Sequence, residues 1–208
     1  MLGDYDSQYA EAFQMGLMAP ERHAAYLTDR LSRFASLRKT RPWVMLGGHS
    51  RCGKDEAAKA LRTLGFRFTA SLSRTALPMI ALDRGEPEES CYESRHQAQP
   101  WWRGWLDGLR ESDPTLLLKL ALVENDILVG VRSRRELLAG KAVGLFDWSY
   151  WIDRDVPEDL TLEYRAEDCD AVLCNYGNDL AAWHQSVVAM HQSRPLWLEH
   201  HHRPEELM

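Results

Sequence analysis

At 208 residues, with 45% hydrophobic and 27% charged side chains, the chain can build one globular domain with a real core, or one domain and a small appendage. A net charge of −6 argues against a protein whose main task is gripping long nucleic acid, which ordinarily shows a basic face. No stretch nears the ~20 apolar residues of a membrane helix, residues 1–6 lack the basic and apolar run of a secretory signal, and the four cysteines show no C-x-x-C spacing.

These features point to reduced thiols in a cytoplasmic setting, with no membrane partner. The charge is uneven along the chain. Acids crowd Asp83–Glu93 and Asp153–Asp170, while Arg132, Arg134 and Arg135 stand close together, so a local basic pocket is compatible with the acidic total.

Residues 5–38 are rich in Ala, Leu, Met, Glu and Arg and predict two helices. Pro20 suits the first turn of the second, whose apolar residues Ala24, Ala25, Leu27, Leu31, Phe34 and Leu37 fall near helical spacing. Residues 1–42 are read as a helical extension that covers hydrophobic surface, 43–192 as the main domain, and 193–208 as a tail. In the tail, His200, His201 and His202 read as a tag fragment or as native sequence, with metal binding the lesser reading.

In the main domain, Trp43–Leu46 predicts the first strand and Asp55–Leu64 a helix stopped by Gly65. The alternation of Phe66–Thr69 predicts a second, short strand. Ser71–Arg74 is a turn into a helix over Thr75–Leu82, and the polar, acidic stretch Asp83–Gln99 reads as a mobile loop or irregular helix. Further helices follow from Pro100 and over Thr115–Glu124. Ile127–Val131 is apolar throughout, as a buried parallel strand is. Arg132–Ala139 is the next helix, Tyr150–Ile152 a strand, Asp153–Glu167 a charged connection, Ala171–Cys174 the last strand and Asp179–Met190 the last helix. Strands alternating with helices predict an α/β domain with a mainly parallel sheet covered on both faces.

One stretch carries chemistry. Gly48, Gly53 and Lys54 fit G-x-x-x-x-G-K, the phosphate-cradling loop, between an apolar strand and a helix as that motif requires. Successive backbone N–H groups, with the positive end of the following helix, converge on phosphate oxygens. Lys54 then reaches the terminal phosphates, where charge moves during transfer. The nucleotide-binding set is therefore Gly48, His49, Ser50, Arg51, Cys52, Gly53, Lys54, Asp55 and Glu56. The motif asks for Ser or Thr after the lysine, and this chain has Asp55. A carboxylate there either holds a hydrated Mg²⁺ ion or favours the helix dipole as a cap.

The Gly-Lys-Asp ending of that loop resembles the phage deoxynucleoside monophosphate kinases, and also the animal phosphomevalonate kinases. The likeness to the phage family extends to Gly65-Phe66-Arg67-Phe68, to Ala70-Ser71-Leu72-Ser73-Arg74, to Val129-Gly130-Val131-Arg132 with Glu136, and to Asp170–Asn175 with Tyr176-Gly177. It spans about residues 43–190. The chain departs from the family at Gly130, where an Asp is frequent and Asp126 is one candidate substitute, and at Ser71–Arg74, where only the basic end of the family's turn is kept. The resemblance implies a P-loop kinase with a three-layer α/β/α fold, using ATP and Mg²⁺ and acting in nucleotide metabolism, in a host cytoplasm if phage-encoded.

On that reading, Lys54, Arg132 and Arg51 are the catalytic candidates and Asp55 the metal candidate. Ser71, Ser73, Arg74, Arg132, Arg154 and Arg165 are the candidates for holding the acceptor. Arg132 either clamps the acceptor phosphate or pairs with Glu136 one turn on. Trp101, Trp102 and Trp105 either stack on a base or form core. Glu163, Glu167, Asp168 and Asp170 read as a solvated face. The expected activity is transfer of the γ-phosphoryl group of ATP to a deoxynucleoside monophosphate, with the segments after Asp83 and Asp153 closing over the ligands. Alternatives are a kinase acting on a hydroxymethylated base in DNA or on another small molecule, and a non-catalytic nucleotide-binding module. A homodimer is left open.

Overall fold

The computed structural model describes residues 23–37 and 42–193. The first of the two expected N-terminal helices, Pro20, and His200–His202 lie outside the described residues. Four short strands, β1 (Val44–Gly47), β2 (Ile127–Val129), β3 (Trp148–Asp153) and β4 (Ala171–Cys174), form one all-parallel sheet in the order β2-β1-β3-β4. Every residue of β1 and β2 is buried, which is why these segments are apolar throughout rather than alternating.

Eight helices are described: α1 (Ala24–Ala35), α2 (Lys54–Arg62), α3 (Leu72–Arg84), α4 (Glu88–Ser94), α5 (Gln99–Ser112), α6 (Leu116–Leu122), α7 (Arg134–Ala142) and α8 (Leu180–Gln192). The period of two along β1 sends Met45 to one face and Val44 and Leu46 to the other. Met45 joins a core with Leu27 of α1, Ile80 of α3, Trp105 of α5 and Leu118 of α6. Val44 and Leu46 join a second core with Ala57 and Leu61 of α2 and Trp183 and Val187 of α8. Helices thus cover both faces of the sheet.

Several boundaries differ from the sequence reading, each for a local reason. Phe66–Thr69 is not a strand. It runs beside the start of β2, but side chains take over its hydrogen bonds: Arg67 N–H donates to Asp126 Oδ2 at 2.8 Å and Thr69 N–H to Asn125 Oδ1 at 2.6 Å. Only the Asp126 N–H returns a backbone bond, to Arg67 O at 2.8 Å, so no ladder propagates. The stretch 83–99 is mostly helical. Gly85, at φ 64°, ends α3 in the left-handed conformation that glycine adopts at little cost, and α4 follows Pro87. Helix α7 starts two residues later than expected, because Ser133 is extended. Strand β3 begins at Trp148, where its pairing with Val44 begins.

Trp102 and Trp105 are core residues, 5% and 0% exposed, and Trp105 Nε1 donates to Asp83 Oδ2 at 2.7 Å. Trp101 is partly buried against the same core, with the Arg84 guanidinium 5.5 Å from its ring centroid. The core reading of the three tryptophans is the one the packing fits. No described helix is long and apolar enough to cross a membrane.

The chain enters the sheet at β1, places β2 on one side, then crosses to β3 on the other. Parallel pairing brings residues 48–53, 130–133, 154–165 and 175–179 out at the same edge, the carboxyl ends of the strands. In open parallel sheets that is where ligands bind, at the point where the strand order reverses.

Candidate functional site at the carboxyl edge of the sheet

The loop between β1 and α2 is held by its backbone. Gly48 has φ 126°, and a Cβ there would lie 2.5 Å from Ile152 O. Gly53 has φ 102°, and a Cβ there would lie 2.6 Å from Asn175 Nδ2. Both glycines are therefore required twice over, by conformation and by space. Arg51 is the one described non-glycine residue at positive φ, 64°, at an exposed position on the loop. Such conformations persist where their surroundings impose them. Asn175, 5% exposed, props the loop from the turn after β4 by donating from Nδ2 to Cys52 O at 2.8 Å.

Lys54 opens α2 and folds back over its own loop, with Nζ donating to Gly48 O at 2.8 Å and His49 O at 2.5 Å. Its ammonium is thus tied to the carbonyls of the loop, at the start of a helix whose first-turn N–H groups have no intrahelical acceptor. Cys52 packs beneath it, 1% exposed with Sγ 3.5 Å from Nζ; burial pushes its thiol up despite the nearby ammonium. Asp55 is exposed in the first turn of α2. Glu56 is engaged instead by Lys59 at 2.6 Å and His184 at 3.2 Å.

The centre of the site is Asp159, which the sequence reading left among many acids of a charged connection. Its Oδ2 accepts from Ser50 Oγ at 2.5 Å and from Arg132 Nη1 at 2.7 Å. Its Oδ1 accepts from Thr161 Oγ1 at 2.6 Å and Thr161 N–H at 3.1 Å, and its own N–H donates to His49 Nδ1 at 3.1 Å. Burial alone would raise its carboxyl, but the bonds from Ser50, Thr161 and Arg132 more than reverse this and hold it far below the usual carboxylate range. Arg132 therefore pairs with Asp159 and Thr161, not with Glu136 one turn on.

Residues 159–164 are stitched to the segment after β2. The Glu163 N–H donates to Arg132 O at 2.9 Å, and the Tyr164 hydroxyl to Val131 O at 3.0 Å. Gly130, which stands where the resembling family frequently has Asp, has φ 95° and so takes a conformation costly for a side chain. Asp126 is no substitute. It lies before β2, at the opposite edge of the sheet from the loop, and is tied to Arg67 Nη2 at 2.6 Å.

Two cavities open along this edge, one at the loop and one beside Arg132. The larger, of ≈ 140 Å³, is lined by Ser73, Trp102, Arg103, Arg110, Arg132 and Thr161, with Arg95 and His96 at its wall. Arg110 is largely buried, with Nη1 on Asp107 at 2.8 Å and Nη2 3.4 Å from Glu136 Oε2. Glu136 is fully buried, and that burial pushes its carboxyl up against the pull of Arg110. The smaller, of ≈ 110 Å³, is lined by Gly53, Glu56, Arg154, Asn175, Asp179 and Trp183.

The fold thus gathers Lys54, Ser50, His49 and Arg132 at one point, places Ser73 in the larger cavity and Arg154 in the smaller. Arg74 is occupied elsewhere, by Glu89 at 2.8 and 3.1 Å and by the Tyr92 ring at 3.5 Å. Ser71 packs beside Gly130, and Arg165 precedes a short turn at Ala166–Asp168, lining neither cavity. Three other acids of the segment bind protein groups: Asp168 takes Arg134 at 2.7 Å, Asp170 takes Lys141 and Ser149, and Glu163 faces Arg103 at 3.6 Å. Among the described residues no group of three metal-ligating side chains occurs.

Sequence reading missed Asp159, Arg103 and Arg110, and had Asn175 only in the turn after the last strand, not as the prop of the loop. Nothing local distinguishes the first three, since each acquires its place through a partner at least 25 residues away or through a cavity wall. No protein-family model matches the chain, and a search among curated proteins finds no match.

Proposed function

We propose that the chain is a P-loop phosphotransferase of the three-layer α/β/α type. It moves the γ-phosphoryl group of ATP to a small phosphorylated acceptor, and the acceptor class we favour is a deoxynucleoside monophosphate. One observation carries this reading: a lysine-bearing glycine loop and an arginine meet at the carboxyl edge of a parallel sheet, between two cavities.

In this scheme Lys54 and the loop amides stabilise the charge of the transferring group, and Arg132 neutralises charge developing on the acceptor side. The cavity at Ser73, Arg103 and Arg110 takes the acceptor, and the one at Arg154 and Trp183 the donor's nucleoside end. Lys54 Nζ, which donates to Gly48 O and His49 O in the free chain, would exchange a carbonyl for a phosphate oxygen. Asp55, exposed beside Lys54, suits a hydrated Mg²⁺ ion, because its hard oxygens match that ion's preference and water between them is usual. When bound, the ion supplies neutralisation of the β- and γ-phosphate oxygens.

The test offers labelled ATP and Mg²⁺ with each deoxynucleoside monophosphate in turn and, separately, with hydroxymethylpyrimidine DNA. Label on mononucleotides is the expected result. Label on DNA alone would move the acceptor to the polymer, and ATP binding without transfer would leave a nucleotide-binding module. Lys54→Ala is expected to lower turnover by about 100-fold or more, as loss of one preorganised donor does. Unchanged ATP binding and turnover in that variant would remove the loop from the mechanism.

A further inference from the structure

We propose that Asp159 is the positioning residue of this site: it holds Arg132 against the phosphate loop through Ser50, so that the guanidinium meets the transferring group in one orientation. This rests on the phosphotransferase reading above and deepens it.

The geometry has four parts. First, Arg132 is long and its side chain is 45% exposed, so its position is not set by packing. Both hydrogen bonds of its guanidinium among the described residues leave from Nη1, to Asp159 and Thr161. Arg132 also lines the larger cavity. Second, a single carboxylate oxygen, Asp159 Oδ2, receives both Ser50 Oγ and Arg132 Nη1. The donor loop and the acceptor-side arginine are therefore referred to the same atom. Third, that carboxylate is itself immobilised. Thr161 holds its other oxygen twice, and its backbone N–H is anchored on His49 of the loop. Fourth, the chain on either side divides the two cavities: Arg154 lines the smaller, Thr161 and Glu163 the larger. Asp159 stands in sequence between these residues, on the segment that contributes to both cavity walls.

The physical reason for such a residue is entropic. An exposed arginine carries considerable rotamer freedom. Restricting it before the ligands arrive removes that cost from the reacting complex. The carboxylate keeps its charge throughout, so it directs the guanidinium by charge-assisted hydrogen bonds and takes no proton from the substrate.

The test is a double-mutant cycle in the full chain, with Asp159→Asn, Arg132→Ala and the pair. Asp159→Asn is expected to lower kcat about tenfold with KM for ATP within about threefold, because the lost interaction is one of orientation. In the Arg132→Ala background the same change is expected to alter kcat less than about twofold, since a residue acting through Arg132 has nothing left to act on. Equal factors in both backgrounds, or no effect on kcat in the single variant, would overturn the proposal, because a merely structural Asp159 behaves additively. If Asp159→Asn does not fold by circular dichroism, Thr161→Val takes its place in the same cycle. If the wild-type chain phosphorylates no acceptor, the functional reading falls and the positioning falls with it; turnover in the wild-type chain with an additive cycle overturns the positioning alone.

Discussion

At the scale of single residues, the chain's polar chemistry is decided by who shares a bond. Asp159, Asp168 and Asp170 are three acids of one connection, yet each does a different thing. The first joins the loop to Arg132, the second holds Arg134, and the third caps the backbone and hydroxyl of Ser149 in β3. Cysteines show the same dependence on surroundings. Burial pushes the thiol of Cys169 up to about 12, and raises Cys52 and Cys91 as well. A raised thiol stays neutral until the pH approaches the raised value, and only the thiolate is nucleophilic. Cys174 is exposed on the edge strand β4. At pH 8, iodoacetamide is expected to label Cys174 at least about tenfold faster than the other three, as mass spectrometry of tryptic peptides would show. Equal labelling of Cys169 in the folded chain would mean that its burial is not maintained in solution.

At the scale of elements, close packing of helices decides more than propensity does. Gly140 in α7 is an example: a Cβ there would lie 2.6 Å from both Leu118 Cδ1 of α6 and Phe146 Cε1. Its φ is ordinary for a helix, so the glycine is required by space alone. Alanine, the better helix former in isolation, is expected here to destabilise the fold by about 1–3 kcal/mol, the usual cost of forcing atoms into a packed core. Urea unfolding measures it, and a stabilised Gly140→Ala would show that α6 and α7 separate more easily than their packing implies. The same logic explains the segment 66–70. Its residues alternate well enough for a strand, but Asn125 and Asp126 side chains accept the bonds a neighbouring backbone would have taken. Period-two patterning marks a segment as half-buried and extended without guaranteeing a ladder.

At the scale of the whole molecule, the N-terminal helix belongs to the core. Leu27 of α1 is 6% exposed within the larger cluster, and Tyr26, Leu31 and Phe34 pack against it. Phe34 meets the Trp43 ring just before β1 at 5.8 Å, and Arg30 pairs with Glu124 after α6. Helix α1 thus packs its apolar residues on that core. Deleting residues 1–37 is expected to lower the melting temperature by at least about 5 °C, since each kcal/mol is worth roughly 2–4 °C at this size. Differential scanning calorimetry reads this directly, and an unchanged melting temperature would mean that α1 contributes no net stability.

By itself the sequence determined the class of fold and the place of its loop. The apolar runs Trp43–Leu46 and Ile127–Val131 predict buried strands, which the fold has at Val44–Gly47 and Ile127–Val129, and Gly48 and Gly53 stand where the backbone leaves the range of other residues. Those are local properties, carried by neighbouring side chains and by the φ angles each residue allows. The partners of the loop are of another kind. Asp159 reaches Ser50 across 109 positions, Asn175 reaches Cys52 across 123, and Arg110 reaches Glu136 from a different helix. Only the tertiary structure decided these, because hydrogen bonds and ion pairs are set by distances of a few ångströms in space, and spacing along the chain carries no record of them.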